Sequence, residues 1–83
     1  MTTTWKFQAG DPSTDPEYIL CRADGTETTI SVQDGRSYRG GFTVTECSPK
    51  DDANVWIKFV STGLKTLAAA KRQAEELYKQ SLN

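Results

Sequence analysis

Histidine is absent from the chain altogether. That removes the commonest general base, the commonest metal ligand and the one side chain that changes charge near neutral pH. Cysteine is almost as scarce. Cys21 and Cys47 are too few and too far apart for a disulfide framework or a paired-cysteine zinc site. Both fall in apolar, strand-like runs, which predicts two reduced and largely buried thiols, the alternative being a bridge between adjacent strands. No apolar run approaches the roughly 20 residues of a membrane-spanning helix, and residues 1–6 lack the basic and apolar regions of a signal peptide. The expected location is the cytoplasm. P-loop, dinucleotide and zinc signatures are missing, Asp51 and Asp52 are too sparse for a calcium or magnesium site, and the serines have no histidine to activate them. The sequence therefore predicts a protein that is not an enzyme and takes neither metal nor cofactor.

An excess of charge of one sign is also missing. Ten Lys and Arg stand against eleven Asp and Glu, a formal net charge of -1, so the chain as a whole exerts no pull on nucleic acid. The distribution is uneven all the same: residues 1–62 hold six basic and nine acidic side chains, and residues 63–83 hold four and two. The basic surplus belongs to the C-terminal segment.

What is present fits one small domain over residues 1–83, with enough apolar residues to fold and few enough glycines and prolines, nine together, to exclude a low-complexity chain. Strand-period alternation predicts strands at 4–8, 18–22, 28–32, 42–47 and 55–60. Asp24-Gly25 is a tight-turn signal between the second and third. Residues 9–17 and 34–41 concentrate Gly, Pro, Asp and Ser and read as loops. From Thr66, a suitable N-cap, the period changes: Leu67, Ala70, Ala74, Leu77, Tyr78 and Leu82 recur at three- and four-residue steps, predicting a helix over 66–82. The fold class is α+β, an antiparallel sheet of four to five strands in a meander of hairpins, covered on one face by a single C-terminal α-helix. The segment 55–60, with one charge in six residues, reads as the central and best-buried strand. Trp56, Ile57, Phe59, Phe42, Val44, Ile30, Ile19, Leu67 and Leu77 are the expected core.

The loop at 34–41 places Arg36 and Arg39 on either side of Tyr38 in a glycine-rich setting. Guanidinium forks beside a flat ring can grip a carboxylate, a phosphate or a base. Trp5 is the other aromatic that the core does not require, and aromatics with arginine dominate the centres of interfaces. Arg36, Tyr38, Arg39 and Trp5 are thus the candidate partner-binding residues, with Lys71, Arg72 and Lys79 on the helix as a second patch. Alanine at positions 36, 38 and 39 is expected to abolish binding without lowering the melting temperature.

The stretch from Gly63 to Leu77, a strand end running into a helix that opens with lysine, resembles the close of double-stranded RNA-binding domains. That family's first helix and lysine cluster are missing, with only Lys65, Lys71 and Arg72 in their place, so its function is not carried over. In size and style the chain is similar to small orphan proteins of phages and prophages, some anti-CRISPR proteins among them. The leading expectation is a small non-enzymatic interaction module, phage or mobile-element encoded, that binds and inhibits or redirects a host or viral protein complex. The alternatives are a module for RNA or single-stranded nucleic acid, using the sheet face and the arginine loop, and a structural protein that assembles as a homodimer.

Overall fold

The computed structural model describes residues 3–10, 15–35, 40–49 and 51–81. Five strands, β1 (Thr4–Gln8), β2 (Glu17–Cys21), β3 (Glu27–Gly35), β4 (Gly41–Cys47) and β5 (Ile57–Leu64), precede one helix, α1 (Leu67–Ser81). The strands form a single antiparallel sheet in chain order, β1-β2-β3-β4-β5, which is the α+β meander with a C-terminal helix read from the sequence. The Asp24-Gly25 turn forms as its residues demand. Gly25 takes a φ of 89°, and the Asp24 carboxylate accepts hydrogen bonds from the Thr26 hydroxyl at 2.7 Å and amide at 3.0 Å.

The helix begins where its cap predicts. Thr66 Oγ1 accepts the Ala69 amide at 3.1 Å, satisfying one of the donors that a first helical turn leaves over. Ala70 and Ala74 are fully buried, and their lack of side-chain bulk lets α1 lie close on the sheet. They meet Leu20, Ile30, Val32, Phe42 and Val44, with Tyr78 closing the cluster. Leu67, Leu77 and Leu64 pack around it, half-buried. Leu82, the last apolar position of the predicted helix, lies outside the described residues.

The expected core is only partly right, and β5 is the reason. Strand order in a meander follows chain order, so the last strand is an edge strand, and α1 returns over β4 and β3 and touches β5 less than either. The segment 55–60 is therefore not the best-buried strand. Trp56 is 42% exposed, Ile57 62% and Phe59 57%. The strand also starts two residues later than predicted and runs on to Leu64, which pairs with Phe42. Ile19 is half-buried, since alternation places it on the face away from α1, in register with Ser31. The core positions lost in β5 are supplied by Leu20, Val32, Ala70, Ala74 and Tyr78.

Both cysteines are free thiols, with Cys21 buried and Cys47 exposed at the end of β4. The expectation of two buried thiols holds for the first alone. An aromatic disulfide reagent should titrate one thiol per native chain quickly and the second only after denaturation; two fast thiols would show that Cys21 is not sealed by the fold.

Candidate functional site

The residues that the sequence singled out do not gather in one place. Arg36, Tyr38 and Arg39 lie outside the described residues. Trp5 sits in β1 with its ring half-buried against the core, and the Lys71 ammonium lies 5.2 Å from the centre of that ring and 5.0 Å from that of Tyr18. At these distances the quadrupoles of both rings attract the cation. One member of each predicted group, Trp5 and Lys71, thus comes together, and the pair fastens α1 to the β1 side of the sheet. Thr3 adds a hydrogen bond from its hydroxyl to the Glu75 carboxylate at 3.1 Å.

Lys71, Arg72 and Lys79 do not make one patch. A step of one residue turns a helix by about 100°, so Arg72 points away from Lys71, toward β5. There Arg72, Gln73, Glu76, Leu77 and Gln80 line a shallow groove of about 290 Å³ with Val60. Lys79 has its ammonium 3.6 Å from the Glu76 carboxylate. The cations of this side are matched by an acid on the same strip.

The two edges of the sheet are finished differently. β1 is short, five residues, with its Lys6 ammonium 3.0 Å from the Glu27 carboxylate. That hydrogen bond and the charge behind it hold the Lys6 pKa above its ordinary value. At the neighbouring turn the two Thr26 donors hold the Asp24 carboxyl below the ordinary aspartate range. β5 has eight residues, of which Lys58 alone is charged, and with the residues before it presents Val55 at 86% exposure, Trp56, Ile57, Phe59 and Val60. Long apolar edge strands are what folded proteins ordinarily shorten, charge or cover. Two bulges, opposite Val44–Thr45 and Phe42–Val44, interrupt β5 and leave 57–59 in unbroken register with β4.

The sheet face away from α1 is polar at its centre. The Ser31 hydroxyl donates to the Glu17 carboxylate at 3.1 Å, and the Thr45 hydroxyl is 2.7 Å from that of Ser31. Register continues this row to Phe59, opposite Thr45, and to Ile57, opposite Cys47. Apolar surface on this face is concentrated at the β5 end. The sequence signal for it was the apolar content of 55–60; strand order turns that content from core into surface.

Among the described residues no three His, Cys, Asp or Glu side chains gather to hold a metal ion, and no helix is long and apolar enough to cross a membrane. No protein-family model, curated protein or solved structure matches the chain. Its function has to be argued from these residues.

Proposed function

We propose that the chain is a non-catalytic protein-interaction module whose docking surface is the exposed apolar segment 55–60. The observation that carries this reading is the exposure of Val55, Trp56, Ile57, Phe59 and Val60 together at one edge. A folded monomer rarely leaves more than a few hundred Å² of contiguous apolar surface without a use. Aromatic and aliphatic anchors of this kind supply most of the binding energy of protein interfaces. The biological setting that goes with it is the one read from the sequence, a phage or mobile-element protein that occupies a host or viral complex in the manner of an anti-CRISPR protein. Arg36, Tyr38 and Arg39 remain candidate contacts on residue type alone.

The test is capture of partners from the native host on the immobilised chain, with and without nuclease, followed by mass spectrometry. Recovery of one complex that survives nuclease supports the module. Recovery that vanishes with nuclease overturns it in favour of a nucleic-acid module, for which affinity would fall steeply with salt.

A further inference from the structure

Resting on the reading of segment 55–60 as a docking surface, we propose that the partner it is built to take is a second copy of the same chain, across a two-fold axis beside β5. The argument begins with charge. Among the described residues the charged groups around the strip are of both signs: Asp51 and Asp52 ahead of Val55, Lys58 in register with Glu46, and Arg72 and Glu76 on the groove with Lys79 beside Glu76. A strongly charged partner finds no complement there.

A copy does. A two-fold axis makes every contact reciprocal, so a pairing of Arg72 with Glu76 of the other chain is made twice. The distances allow it. With strands about 4.8 Å apart and α1 crossing β3 and β4, pairing β5 with its copy would set the two helix axes roughly 15–20 Å apart. That is beyond direct helix packing at 8–10 Å and within the joint reach of an arginine and a glutamate.

Area points the same way. An aromatic side chain offers about 150–250 Å² when fully covered. At exposures between 38% and 86% the five apolar residues therefore present on the order of 500 Å² per chain by that scale. Two copies reach about 1,000 Å², where specific interfaces begin. The backbone contributes over 57–59, the stretch in unbroken register with β4, where the outer edge can pair antiparallel with its copy. The bulges beyond it turn the remainder of β5 away, so side chains carry most of the contact. Such a dimer keeps the Trp5–Lys71 side of each chain outward.

Light scattering after size exclusion, at tens of micromolar, tests this with three proteins. The wild type should elute at twice its 9.2 kDa. Arg72→Glu sets four acids against one another across the axis and should weaken the dimer about tenfold, the effect of two exposed ion pairs. Arg72→Glu with Glu76→Arg should restore it. All these positions are exposed, so circular dichroism should report the same fold throughout. A wild-type monomer at 100 micromolar overturns the proposal, as does a dimer indifferent to Arg72→Glu. A monomer that still captures another protein through segment 55–60 overturns the dimer and leaves the interaction module standing. A dimer that captures nothing does the reverse for the host-binding role.

Discussion

Replacing Val55 and Ile57 by aspartate should reduce partner capture by about a hundredfold or more while the melting temperature moves by only a few degrees. The two expectations come from the same exposures. Val55 is 86% and Ile57 62% exposed, so little apolar burial is lost within the chain, and surface substitutions of this kind ordinarily stay within about 0.5 kcal/mol. At an interface the same carboxylates would be driven into an apolar contact without partners. An unpaired charge buried there, added to the loss of two anchors, exceeds the roughly 2.7 kcal/mol that corresponds to a hundredfold. Capture and thermal melting on the same preparation check both halves. Unchanged capture would remove segment 55–60 from the site and return attention to Arg36, Tyr38 and Arg39, whose alanine variants then become the decisive set. A melt lowered by ten degrees or more would mean that the segment is part of the core after all.

The outcome at β5 also shows which physics a sequence displays and which it withholds. Local rules were legible: the turn at Asp24-Gly25, the cap at Thr66, the alternation of Ile30 and Val32 and the alanines at 70 and 74 each depend on neighbours a few residues away. They appear in the structure where the pattern places them. Burial in β5 depends on what lies beside the strand. An apolar run reads alike for a central strand covered by a helix and for an edge strand left open, because periodicity reports which residues share a face and nothing about the neighbours of that face. Here the helix follows β5 directly and folds back over β4 and β3, so the strand nearest to it in sequence is covered less than the two beyond it. The candidate site divides along the same line. Residue type marked Trp5 and Lys71 as notable; only the return of α1 over the sheet brings them to one contact, and that contact binds the fold together. In segment 55–60 alternation sends Trp56 and Ile57 to opposite faces, so one of the two faces could already be read as an interface; which residues stay open depends on strand order.

Gly41→Ala should be among the most destabilising single-methyl changes in the chain, lowering the melting temperature by roughly 5–20 °C. A Cβ at Gly41 would lie 2.7 Å from the Leu64 carbonyl oxygen and 2.8 Å from the Gly63 carbonyl carbon. Both are backbone atoms, which cannot swing aside as a side-chain end can, so β5 itself must shift. Overpacking of this kind costs about 1–3 kcal/mol, and for a domain of this size each kcal/mol moves the midpoint by roughly 4–8 °C. Gly25→Ala is the informative companion. Its Cβ would meet open space, and its cost comes from the positive φ alone, about 1–2 kcal/mol, so the two variants can melt alike for different reasons. Amide exchange separates them. Gly41→Ala should accelerate exchange through β5 and, by displacing the docking strand, weaken both capture and self-association. Gly25→Ala should perturb the β2–β3 turn and leave β5 as it was. If Gly41→Ala melted and exchanged like the wild type, the close approach of β4 to the Gly63–Leu64 backbone would be wrong, and with it the path of β5 past the bulge that sets segment 55–60 at the edge.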